Sequence, residues 1–371
     1  ALPVYGFKGG GNTLRKAAPA AAALTLIVGL SACSAGNETS SGSSDSKLSG
    51  TLNGAGASSQ ESAVGAWKAK FQSANPDVTV NYDASGSGAG REQLIAGGVQ
   101  FAGSDAYLSD DELAQLKKQC GGDIVEVPTY VSPIAVIFNL EGVKELNLSP
   151  KTIGSIFAGK ITKWNDAAIK ADNPDANLPD LAITPVHRSD DSGTTENFTD
   201  YLDQTSGGTW TGGAVQTWPV KGGEAAEGTS GVVQAVTNGK GTIGYADESQ
   251  AGDLGKASVK VGDAFVAPST EAASKVLDLA KPVEGRGDTD LAVDVDRTST
   301  DAGVYPVVLV SYQIACQTFK DAKTADLVKG WLSYVTSDEG QKASSDAAGN
   351  APLPADFAAK VKTAVESIKA S

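Results

Sequence analysis

Three short stretches of this 371-residue chain combine glycine with hydroxyl residues where an apolar run gives way to a helical pattern. They are Gly54-Ala55-Gly56-Ala57-Ser58-Ser59, Ser85-Gly86-Ser87-Gly88-Ala89-Gly90 and Asp191-Ser192-Gly193-Thr194. A helix N-terminus offers unpaired backbone N–H groups and the positive end of the dipole, and glycine lets the backbone come close. Ser and Thr hydroxyls add side-chain donors. Any one of these turns alone is an ordinary helix cap. Three in one chain, with Arg188 four residues before Ser192 to supply a forked guanidinium, point to an oxyanion held between helix ends. Gly103-Ser104-Asp105-Ala106 closes a further strand. Asp105 there is either a turn residue or an acceptor facing the ligand. The second reading suits phosphate, which keeps a proton near neutral pH, and works against sulfate, which does not.

Catalytic readings fit less well. Asp191-Ser192-Gly193-Thr194 also matches the Asp-Thr/Ser-Gly-Thr/Ser pattern of aspartic proteases, but that chemistry needs two carboxylates sharing a proton. No second copy occurs, and Arg188 to Asp190 are polar where an apolar strand belongs. A serine hydrolase would have to use His187, the only histidine, and Ser87 lacks the G-x-S-x-G elbow. A secreted phosphatase finds no metal-ligand cluster and no nucleophile pair. An adhesive surface protein leaves three anion cradles without a use. No cofactor or metal is expected.

The elements that must carry these turns alternate strand and helix from Leu48 onward. Strands are expected at 48–52, 78–82, 101–104, 124–127, 134–138, 183–186, 242–245 and 305–312. Helices are expected at 61–72 (Val64, Trp67 and Phe71 at helical spacing), through Leu94 and Ile95, at 110–118 behind Ser109, around Ile153, Ile156 and Phe157, from Gly193 through Leu202, at 325–334 and near 357–368. Such alternation predicts an α/β protein with mostly parallel sheets. No clean linker separates the halves, as when one domain is inserted into another.

The N-terminus reads as a targeting segment. Lys8, Arg15 and Lys16 precede an apolar run from Ala17 to Leu30, shorter than the roughly 20 residues of a membrane span. It ends in Leu30-Ser31-Ala32-Cys33, similar to a bacterial lipobox, in which the cysteine becomes the acylated first residue of the mature chain. A short apolar stretch that happens to end in cysteine is the plain alternative. Residues 1–32 are thus expected to be a lipoprotein signal peptide, and the Ser/Gly-rich residues 33–47 a flexible tether. Net charge is −14, and −17 once residues 1–32 are gone, which argues against a nucleic-acid partner. Outside the cytoplasmic membrane Cys120 and Cys316 can pair as a disulfide, two unpaired buried thiols being the alternative.

In order along the chain, GAGASS, SGSGAG, GSDAYLSD, GKITKWND, HRSDDSGTT and GTIGYAD resemble the phosphate-binding proteins of bacterial ATP-driven phosphate importers. The resemblance covers about residues 50–366. It implies a type II periplasmic-binding-protein fold with ligand in the interdomain cleft, closing hinge-like. Residues 48–132 plus 307–371 would form domain I, and 133–306 domain II. It carries the phosphate-binding roles onto Ala57, Ser58, Ser59, Ser87, Asp105, Arg188, Ser192, Gly193 and Thr194, and makes Asp190 the partner of Arg188. The implied protein is a monomeric receptor that delivers inorganic phosphate to an ABC importer's permease from the outer face of the cytoplasmic membrane, anchored through Cys33. Arsenate or sulfate is the alternative ligand. Two departures stand out: many relatives have Thr, a bulky apolar residue and Pro where this chain has Ser58-Ser59-Gln60, and Lys221 to Thr229 matches the family least well.

Overall fold

Val78, Val80 and Tyr82 alternate with exposed neighbours, and this period-2 pattern makes β2 an edge strand packed on one face. The computed structural model describes residues 47–371, so the expected signal peptide, Cys33 and nearly all of the expected tether lie outside the described residues. The chain begins with β1 (Gly50–Gly56), α1 (Glu61–Ala74), β2 (Val78–Asp83), α2 (Ser87–Ile95) and β3 (Phe101–Ser104). β1 pairs in parallel with both β2 and β3. α3 (Asp110–Cys120) starts with a complete capping box between Ser109 and Glu112 and stops at Gly121, whose φ of 67° suits glycine.

β4 (Ile124–Asn139) is a single strand of 16 residues, where two short strands were expected. After it come α4 (Pro150–Phe157), β5 (Thr184–Arg188), α5 (Gly193–Thr205), β6 (Glu224–Ala226), α6 (Gly228–Asn238) and β7 (Thr242–Asp247). β8 (Val308–Cys316) returns to the first half, followed by α7 (Ala322–Val335), α8 (Asp338–Ala348) and α9 (Ala355–Glu366).

The sheet these strands build has nine members in the order β2-β1-β3-β8-β4-β7-β5-β6, with Gly255–Lys256 also paired to β4. It is mixed, not mostly parallel. β8 runs antiparallel to β3 and β4, and β7 antiparallel to β4. Only the two flanks, β2-β1-β3 and β7-β5-β6, are parallel. The pattern of apolar residues marks where strands lie but not the direction of their partners, which is why the expectation failed here.

β4 changes partner along its length. From Ile124 to Pro133 it pairs with β8, and from Ile134 to Asn139 with β7. The return crossing lies alongside, with Ile134 N–H donating to Val307 O at 2.7 Å and the Tyr305 hydroxyl to Ile134 O at 2.9 Å. Each half packs its own aromatic cluster. Trp331 meets Trp67, Phe71 and Phe101 edge-on or tilted in the first. In the second, Phe198 and Trp218 stack on Tyr245, and Phe157 meets Phe198 and Tyr245 edge-on. Cys120, at the end of α3, and Cys316, at the end of β8, form a disulfide with Cα atoms 5.4 Å apart.

Candidate functional site

The first turn leaves β1 at Gly56, where φ is +147° and an added Cβ would lie 1.9 Å from Gly103 O. This close approach sets β1 tight against β3 and delivers Ser58-Ser59-Gln60 as one 3-10 turn ahead of α1. Ser59 Oγ donates to Asp105 Oδ2 at 2.5 Å. Ser58 Oγ instead accepts from Thr229 N–H at 3.0 Å, across the cleft at the start of α6. Ala57 differs from expectation. Its N–H is already used by Gly103 O at 2.9 Å, so only the two serines of this turn bring donors to the site. Gln60 is buried, and its amide donates to Tyr312 O and accepts from Gln313 Nε2.

The second turn uses Gly86, at φ +104°, to enter α2, whose first residue is Ser87. Ser87 Oγ accepts the Asp105 N–H at 3.2 Å, and Gly88 N–H donates to Asp191 O at 3.1 Å. The third turn comes from the other half of the sheet. Ser192 caps α5 by accepting Thr195 N–H at 3.1 Å, and Thr194 Oγ1 donates to Asp105 Oδ2 at 3.0 Å. Gly193 sits so close to β3 that a Cβ would lie 2.8 Å from both Ala106 N and Ser87 Oγ. The two halves therefore meet face to face at Asp105.

Asp105 is only 2% exposed and takes three hydroxyl donors, the third being Ser311 Oγ on Oδ1 at 2.7 Å. Burial pushes its carboxyl up, and the three hydroxyls and the nearby Arg188 charge pull the other way. Arg188, 3% exposed at the end of β5, reaches Asp190 with both Nε (2.7 Å) and Nη2. Asp190 also accepts Gly228 N–H at 3.0 Å. Although partial burial works against it, hydrogen bonding to Arg188 and the guanidinium charge hold the Asp190 carboxyl below its usual range. An arginine fixed this way keeps its fork in one plane.

Of the residues singled out in the sequence, Ser59, Ser87, Asp105, Gly193 and Thr194 are in direct contact. Ser58 joins them through Thr229, and Arg188 through Asp190 and the α6 N-terminus. No group of three metal-ligating side chains occurs among the described residues. His187 stacks on Trp218 with ring centroids 5.0 Å apart, and its Nδ1 lies 3.0 Å from Arg188 O.

The PBP superfamily domain model matches residues 41–339. Over 324 residues the chain is 37% identical to phosphate-binding protein PstS 3 of Mycobacterium tuberculosis (strain ATCC 25618 / H37Rv), covering 86% of each chain. This chain belongs to the PstS phosphate-binding protein family. PstS 2 of the same strain is 36% identical over 362 residues, 94% of this chain and 96% of that one. Among solved structures, the high-affinity periplasmic phosphate-binding protein PfluDING, bound with phosphate, is similar at TM-score 0.69 and 25% identity over 85% of this chain and 93% of that chain. The architecture is the two-domain periplasmic-binding fold.

Sequence reasoning about this PstS-family chain missed Gly228, Thr229 and Ser311. The first two had a readable signal: Gly228-Thr229-Ser230-Gly231 is a fourth glycine/hydroxyl turn between a strand and a helix, with Gly228 at φ +66°. Ser311 had none. It sits inside a strand of continuously buried residues, where only the partner strands decide what a serine meets.

Proposed function

We propose that this PstS-family chain is an extracytoplasmic receptor that closes two domains on inorganic phosphate and hands it to the permease of an ABC importer. One observation carries the reading: a buried carboxylate, Asp105, stands among hydroxyls and helix N-termini within reach of the Arg188 charge. A site for a fully deprotonated anion would have no use for a carboxylate there. A site for monohydrogen phosphate uses it to accept the ligand's proton. Ser58, Ser59, Ser87, Arg188, Ser192, Gly193 and Thr194 then supply the donors, the serine and threonine hydroxyls now spent on Asp105 turning to the anion. Asp190 keeps the guanidinium oriented. The relatives are named as binding proteins, in keeping with a protein that binds without catalysis.

Domain I would comprise 48–132 and 307–371, and domain II 133–306, hinged where β4 exchanges partners. Residues 286–293 would be an arm of domain II laid on domain I, since Leu291 N–H donates to Glu126 O at 2.8 Å and Arg286 Nη2 to Leu108 O at 2.6 Å. Anchoring through an acylated Cys33 places the receptor on the outer face of the cytoplasmic membrane. Calorimetric titration with phosphate, sulfate and arsenate at neutral pH tests the reading. Tight phosphate binding with sulfate rejected is expected, and equal affinity for sulfate would overturn it. Arsenate, which also carries a proton near neutrality, is expected to compete.

A further inference from the structure

Asp105 has two oxygens, and the structure treats them differently. Oδ2 receives Ser59 and Thr194, both on the glycine-rich turns that face the cleft. Oδ1 receives Ser311, from the middle of β8. Ser59 and Thr194 have an alternative acceptor whenever an anion arrives. Ser311 is fully buried in the sheet, where only the Tyr130 hydroxyl lies beside it as another partner.

The sheet goes out of register to aim this residue. Ser311 pairs with Tyr130, while Tyr312 pairs with Pro128, so Thr129 of β4 is an unpaired extra residue at a β-bulge. The bulge is secured on both sides. Thr129 Oγ1 donates to Ser311 O at 2.9 Å, and Gln341 Nε2 of α8 donates to Thr129 O at 2.8 Å. Bulges commonly re-aim a side chain next to a site. Here the result is a permanent donor behind the carboxylate.

We infer that Ser311 is a positioning residue for anion selectivity: its donation to Oδ1 keeps Asp105 an ionised acceptor and reserves Oδ2 for the ligand's own proton. The inference rests on the proposed reading of Asp105. Losing a hydrogen bond to the charged form favours the neutral acid, and an Asp105 that carries a proton becomes a donor that sulfate can use. Other titratable groups whose charge reaches Asp105 are Arg188 from β5, Tyr82 from β2, Tyr130 from β4 and Asp247 from β7. Both tyrosines are pushed well above their usual value by burial and stay neutral. Asp247, pushed up to about 7 chiefly by burial and only lastly by the Asp105 charge, titrates in the relevant range and adds a pH dependence that parent and Ser311 variants share.

Phosphate and sulfate titrations from acid to mildly alkaline pH, on the full chain and its Ser311→Ala, Ser311→Thr and Asp105→Asn variants, test this. In the parent, sulfate binding should emerge only as pH falls. In Ser311→Ala the sulfate profile should move about one to two pH units to the alkaline side, lowering the phosphate-to-sulfate ratio near neutrality by about ten- to a hundredfold. Ser311→Thr, which keeps the donor, should follow the parent, and Asp105→Asn should admit sulfate at every pH. Should the Ala variant not fold, Ser311→Cys, a weaker donor of similar size, is expected to shift in the same direction. An Ala (or Cys) profile superimposed on the parent's, with Asp105→Asn admitting sulfate, would overturn the role of Ser311 alone. So would a Thr variant that shifts as far as Ala, since packing would then be the cause. Continued rejection of sulfate by Asp105→Asn would remove Asp105 itself, and this inference with it.

Discussion

At the scale of single residues, the positive charge of Arg188 reaches Asp105, and its geometry makes a specific claim. The paired contact with Asp190 fixes the guanidinium plane, so a ligand meets donors that are already oriented. Arg188→Ala removes charge-assisted hydrogen bonds, each worth about 1.5–3 kcal/mol, and phosphate affinity is expected to fall by at least roughly tenfold in a calorimetric titration. Arg188→Lys should restore part of it, since an ammonium keeps the charge without the fork. Near-parental binding by the Ala variant would take Arg188 out of the site. The Ser59 hydroxyl lies on Asp105, and Gln60 next to it accepts from Gln313, whose side-chain carbonyl in turn accepts from Trp331 Nε1 at 3.3 Å.

At the scale of elements, most of the frame could be read from periodicity and caps. The start of α5 at Gly193, the extent of β3 and the Ser109 cap of α3 fall where the sequence places them. Failures have physical causes. Pro128 and Pro133 look like strand breakers, yet one sits at the bulge opposite Tyr312 and the other opposite Val308, positions where β4 tolerates proline. α8 is built mainly from polar and small residues, so no apolar stripe announces it. The Cys120–Cys316 bond joins elements 196 residues apart in sequence, tying α3 to the end of β8. Its reduction is expected to cost about 2–5 kcal/mol, chiefly by releasing a long loop in the unfolded chain. Chemical denaturation with and without reductant measures this, and a midpoint unmoved by reduction would contradict it.

At the scale of the whole molecule, stability should carry a signature of buried carboxyls. Asp247 is held at about 7 by burial, against the hydrogen bonds from Ser249. In the unfolded chain it ionises near pH 4, so between about pH 4 and 7 the folded form retains a proton that the unfolded form has lost. Stability falls with rising pH across that window, by up to ~1.4 kcal/mol per unit from this group. Asp247→Asn removes that slope while keeping a side chain able to cap the following turn. The variant's advantage over the parent should therefore grow from pH 4 to 7 in denaturant midpoints, and parallel curves would refute the assignment. The placement of β8 has a different consequence, for the order of events as the chain is made and folds. This strand lies between β3 and β4, so the sheet begun by residues 50–133 stays divided until residue 308 has arrived. β7, in the intervening half, needs nothing later than residue 247 to close its own pairing with β4 and β5. The chain that starts first should thus finish last: in pulse-labelled hydrogen exchange during refolding, amides of β7 and the C-terminal part of β4 should gain protection before those of β1 and β3, and the reverse order would show that β8 docks early.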